Sequence, residues 1–100
     1  MPSQNTKSLQ QLQQEAYLAY LAKLMKKFES DTARLKLADK LMSQVFAKAK
    51  NGQLDDEGDM ATATRLYVKV AASRPPNQAS VEAKKRLAFI LKEAGARFAK

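Results

Sequence analysis

This sequence predicts an all-α domain of four helices, packed as a compact bundle or as two antiparallel helical hairpins. Three observations predict it. Only three Gly and three Pro occur in 100 residues, while Ala, Leu, Lys, Gln, Glu and Met, the good helix formers, dominate. Apolar residues recur at i, i+3, i+4 spacing in four stretches. Each stretch is bounded by residues that cap or stop a helix. One hundred residues make one small domain with a modest core, so an oligomer that adds buried area is expected to help.

Residues 1–7 read as a polar, flexible tail, with a single helical domain over 8–96 and a basic tail over 97–100. The first helix is expected to start near Thr6 or Ser8 and run to about Glu29. Its stripe is Tyr17, Tyr20, Leu21, Leu24, Met25 and Phe28. At about 100° per residue Leu9 and Leu12 fall well off that stripe. Heptad spacing lapses where Lys23 and Lys26 take apolar places, which argues against a long coiled coil. Ser30-Asp31-Thr32 is an N-cap cluster, so a second helix is expected from Asp31 to Lys50. Leu35, Ala38, Leu41, Met42, Val45, Phe46 and Ala49 form its apolar face. Asn51-Gly52 should stop it, with Gly in the left-handed C′ position.

The acidic run Asp55-Asp56-Glu57-Gly58-Asp59 leads into a third helix over 59–72, with Met60, Ala63, Leu66, Tyr67 and Val70 inward. Arg74-Pro75-Pro76 ends it. Asn77 or Ser80 caps a fourth helix, closed by Gly95 after Ala94. Ala83, Leu87, Ile90, Leu91 and Ala94 mark its core side.

The formal net charge is +8. Four of the ten acids lie in the 55–59 run, so the remaining chain is more basic still. Such a field attracts polyanions: nucleic acid, an acidic protein or anionic lipid. Cys and His are both absent. That excludes disulfides, thiol chemistry, the usual zinc sites and the commonest neutral-pH general base. No apolar run approaches the roughly 20 residues of a membrane span, and the polar N-terminus lacks a signal-peptide core. A soluble, cytoplasmic protein is expected, with no membrane partner. Phosphate-binding and nucleophile-elbow motifs are absent, and the exposed acids lack a partner base, so no enzyme and no cofactor are expected. The 55–59 run fails as a calcium loop, because Met60 and Leu66 occupy the places of its Gly and final Glu. Its expected use is helix capping or a salt bridge to a basic face.

Lys84-Lys85-Arg86 spreads over about 200° of helix and cannot act as one patch. Lys84 and Arg86 flank the core side; Lys85 and Lys92 share the outer side. Phe89 also points away from the core. It either packs on a neighbouring helix or the C-terminal tail, or forms a contact surface. Two further basic faces carry Lys23, Lys26 and Lys27, and Lys36, Lys40 and Lys50. Glu29 and Asp39 could pair locally, which leaves most of these lysines unanswered.

The segment from Pro76 to Ala96 resembles the small terminase subunit of short-tailed phages. Phe89, Leu91, Lys92 and Gly95 are similar to the end of that family's A-x-x-L-x-x-A-x-x-F-L-K-x-x-G pattern, with Ile90 standing between the aromatic residue and Leu91. The resemblance implies a ring-forming, helical DNA-recognition subunit without a catalytic site, partnering a large ATPase and nuclease subunit.

The expected function is therefore association with nucleic acid, DNA above all, in phage packaging or plasmid handling. Lys84, Lys85, Arg86, Lys92, Lys23, Lys26, Lys27, Lys36 and Lys40 are the candidate phosphate contacts. The alternative is a small helical adaptor or inhibitor docking on an acidic protein through Phe89, Phe98, Leu9 and Leu12. A homo-oligomer is expected, and a larger protein partner is compatible with either reading.

Overall fold

The computed structural model describes residues 8–55 and 57–98, with side chains as far as residue 93. Among these residues the chain is all-helical: α1 (Leu9–Lys50), α2 (Asp59–Ala71) and α3 (Gln78–Phe98). Three helices replace the expected four, and neither the four-helix bundle nor the pair of hairpins forms. The first two expected helices are one 42-residue rod. At 1.5 Å per residue, α1 is about 63 Å long. No Gly or Pro interrupts residues 9–50. Ser30, Asp31 and Thr32 are only mildly unfavourable inside a helix, so the cap cluster is read through.

The ends of the elements follow local rules. Ser8 caps α1 in a reciprocal box: its hydroxyl accepts from the Gln11 N–H (3.2 Å), and the Ser8 N–H donates to the Gln11 side chain (3.1 Å). At the other end Gly52 adopts φ +73°. Its N–H donates to the Ala49 carbonyl, and the Gln53 N–H donates to that of Lys48 (2.7 Å). This is the Schellman arrangement, in which Gly takes the left-handed position. The Asp55 carboxylate receives the N–H groups of Asp59 and Met60, both at 3.0 Å, so it caps α2. Lys48 lies 3.9 Å from Glu57. Asp56 lies outside the described residues. Asn77 caps α3: its side-chain carbonyl accepts from the Ser80 N–H (2.9 Å), and its own N–H donates to the Ser80 hydroxyl (2.8 Å). Gly95 does not close α3, which runs on to Phe98.

α2 and α3 form an antiparallel hairpin that packs on the C-terminal half of α1. The core is Ala38, Met42, Ala63, Tyr67, Val70, Ala79 and Ala83, flanked by Leu35, Leu41, Leu66, Leu87 and Ile90. Four of the seven are alanines, which bring the helix axes close but bury little area each. Leu91, expected in the core, is 72% exposed. It lies about 80° round the axis from Ala83, beyond the reach of α2. The radius of gyration is 21.0 Å, against about 13 Å for a compact 100-residue domain. The excess comes from the N-terminal half of α1, which extends past the hairpin as an arm.

The arm begins where the α2–α3 turn is anchored. Asp31 is almost fully buried. Its Oδ2 accepts from the Ser73 hydroxyl (2.5 Å) and the Asn77 side-chain amide (2.9 Å). Arg34 approaches its Oδ1 at 3.5 Å. Lys27 donates to the Arg74 carbonyl. Between these bonds the Arg74-Pro75 peptide is cis.

Asp31→Ala should lower stability by about 2–4 kcal/mol, because it orphans the buried Ser73 hydroxyl and the half-buried Asn77 amide. That corresponds to a midpoint drop of roughly 10–20 °C by circular dichroism. Arg34→Ala, which removes only a long and partly exposed ion pair, should cost under about 1 kcal/mol.

Candidate functional site

Two polar side chains on different helices face each other across the α1–α3 seam. Asp39 is on α1 and Arg86 on α3; Arg86 Nε donates to Asp39 Oδ1 at 2.7 Å. Tyr67 of α2 donates its hydroxyl to the same oxygen at 2.5 Å. Arg86 Nη1 also reaches Glu82, one turn back, at 2.9 Å, and Lys85 lies 3.4 Å from Glu82. All three helices thus meet at one carboxylate.

The electrostatics follow from this pairing. Burial, the bond to Asp39 and its negative charge push the Tyr67 phenol well above its ordinary value. The bond from Arg86, with Lys85 nearby, holds the Glu82 carboxyl below its ordinary value. The bond to Asp39 raises the Arg86 guanidinium further, so it stays charged.

Beside this cluster is an open pocket of about 220 Å³, lined by Asp39, Met42, Ser43, Phe46, Tyr67, Arg86, Phe89 and Ile90. Phe46 and Phe89 meet edge to face, with ring centroids 6.4 Å apart. Phe89 therefore packs on a neighbouring helix, yet it remains 50% exposed at the pocket mouth. Helical register sets lysines on both rims. Lys36 and Lys40 precede Ser43 by seven and three residues on α1. Lys85 and Lys92 flank Phe89 at i−4 and i+3 on α3. All four are exposed. Glu93 is the exposed acid on the α3 side.

The other candidate residues fall elsewhere. Arg86 is turned inward and holds the helices together. Lys84 is exposed on the side of α3 away from Phe89. Lys27 is tied to the hairpin turn, and Lys23 and Lys26 lie exposed at the root of the arm. Leu9 and Leu12 are exposed near the arm's tip; the Phe98 side chain lies outside the described residues. Sequence reasoning missed the Asp39–Tyr67–Arg86 cluster. Asp39 could pair locally with lysines of its own helix, but it answers Arg86, 47 residues away. Nothing in a single sequence marks that pairing. The one available signal was a Tyr hydroxyl on the core side of its helix, which requires a buried partner.

The architecture defines a class: a non-compact, three-helix all-α protein with an aromatic, lysine-bordered groove. No protein-family model, curated protein or solved structure matches the chain. Among the described residues no cluster of acids could hold a metal ion, and no helix is long and apolar enough to cross a membrane.

Tyr67→Phe should cost about 1 kcal/mol by chemical denaturation. A group whose folded value is raised stabilises the fold below its unfolded value, and that stabilisation is lost as pH rises. The wild type should therefore lose helix above about pH 10 with a concurrent tyrosinate absorbance change, and Tyr67→Phe should lack that component. Glu82 has the opposite sign: its contribution is present above the ordinary carboxylate value and fades as pH falls below it. Glu82→Gln should flatten the acid limb of the stability profile.

Proposed function

We propose that this chain is a non-enzymatic helical protein that associates with DNA through phosphate contacts, aligning the backbone along the groove between α1 and α3. The observation that carries this reading is how the acids are used. Asp39 and Glu82 are consumed by Arg86, and Asp31 and Asp55 by caps and turns, which leaves Glu93 as the exposed acid on the α3 rim. Lys36, Lys40 and Lys92 form no ion pair among the described residues. Free ammonium groups on both sides of one groove are what a phosphate backbone recruits, with release of its counterions. Phe46 and Phe89 give the groove an apolar floor between the charged rims. The similarity of residues 76–96 to small terminase subunits supports a setting in phage DNA packaging, with plasmid DNA handling as the other setting. The reading requires no cofactor.

Fluorescence anisotropy with labelled duplex DNA over a salt series tests it. Binding should be micromolar or tighter at low salt and weaken steeply as salt rises. Reversing Lys85 and Lys92 to Glu should weaken binding at least roughly tenfold and reduce the log–log salt slope by about 2. Lys69→Glu, on the outer face of α2, should change affinity less than about threefold. Absence of binding at low salt overturns the proposal. A strong preference for single strands would move the contact from the lysine rims to base stacking on Phe46 and Phe89.

A further inference from the structure

The arm of α1 has the composition of a buried helix, yet among the described residues nothing covers it. Residues 9–20 are exposed along their whole length. The run Ala16-Tyr-Leu-Ala-Tyr-Leu-Ala22 is apolar all the way round the helix, the pattern of a helix enclosed by others. A helix standing alone in water is marginal, since most helical stability comes from tertiary packing. The exposed parts of Leu9, Tyr17, Tyr20 and Phe28, which share one side of the helix, amount to roughly 500 Å² per copy, or about 1,000 Å² for two copies, the lower end for a specific interface.

The face to be covered can be assigned. Tyr17, Tyr20, Leu24 and Phe28 lie within about 60° of the direction in which α1 presents Asp31, Ala38 and Met42 to the hairpin. The arm therefore continues the core-facing stripe of α1 beyond the end of its cover. At its root Leu21, Leu24, Met25 and Phe28 form a groove of about 350 Å³ with Pro75 and Pro76.

Charge selects the occupant. Across residues 9–22 the sole charged residue is Glu15, on a chain of net charge +8. Polyanions find no cations there, and a second copy of this chain meets little of the repulsion it would meet elsewhere. Orientation follows too. A parallel pair would bring both hairpins and both sets of Lys23, Lys26 and Lys27 to one end; an antiparallel pair separates them.

We propose that the arm is a dimerisation element that packs antiparallel on the arm of a second copy, about a two-fold axis between Tyr20 and Leu21. In this register Tyr17 of each copy faces Leu24 of the other and seats its ring in the groove against Pro75 and Pro76. The contact is isologous, so both grooves are filled at once and the assembly closes at two copies.

Sedimentation equilibrium of the full chain should give twice the 11.1 kDa chain mass. Leu21→Glu with Leu24→Glu should give a monomer, and circular dichroism should show the hairpin core still melting cooperatively. The chain has no cysteine, so single introduced cysteines report the register even if those charged variants fail to fold. Leu21→Cys, beside the axis, should form a disulfide-linked dimer on oxidation. Tyr17→Cys alone should not, because its two copies stand roughly 10 Å apart along the axis; mixed with Leu24→Cys it should cross-link. A wild type that stays monomeric at all concentrations, a mass above two copies, or self-linking of Tyr17→Cys overturns the proposal.

Discussion

The buried carboxylate of Asp31 is the constraint on which the rest of this structure depends. A buried charge is costly unless it is fully bonded. Asp31 is satisfied by groups from the end of α2 and the cap of α3, so the α2–α3 turn is pinned to the middle of α1. Asn77 ties the two scales together. One end of its side chain caps α3 and the other bonds Asp31. Once that turn is placed, the length of α2 brings Tyr67 beside Asp39, and the direction of α3 brings Arg86 to the same oxygen.

This pinning also divides α1 into two structurally distinct halves. The C-terminal half carries the hairpin and forms one wall of the lysine-bordered groove. The N-terminal half is left as an arm whose apolar face has no cover among the described residues. Among the described residues the core numbers seven, four of them alanine, a modest core for a chain of this length. Residues 9–22 of the arm carry no basic side chain, whereas exposed Lys36, Lys40 and Lys92 border the α1–α3 groove. The proposed dimer and the proposed DNA contact therefore do not compete for the same face.

Much of the local structure was legible in the residues. Ser8, Gly52, Asn77 and the acidic run all act as expected, because capping is decided within a few residues of backbone. The all-α class and the inward set Ala63, Tyr67 and Val70 followed from periodicity alone. The break at residues 30–32 was misread for a physical reason. Ser, Asp and Thr satisfy helix N-termini, but the same side chains are tolerated inside a helix when a distant donor claims them. Here Ser73 and Asn77 claim Asp31. Arg86 was misplaced for a similar reason, since its partner Asp39 lies far away in the chain.

Short-range chemistry and composition alone set the helical class, the ends at Ser8, Gly52 and Asn77, and the positive charge. Only the tertiary structure decided that α1 is one continuous rod. It also decided that Asp31 and Asp39 are cross-helix acceptors, that Phe89 meets Phe46, and that half of α1 projects uncovered. Those outcomes depend on which donors reach which acceptors across more than 40 residues of chain, a pairing that periodicity does not encode.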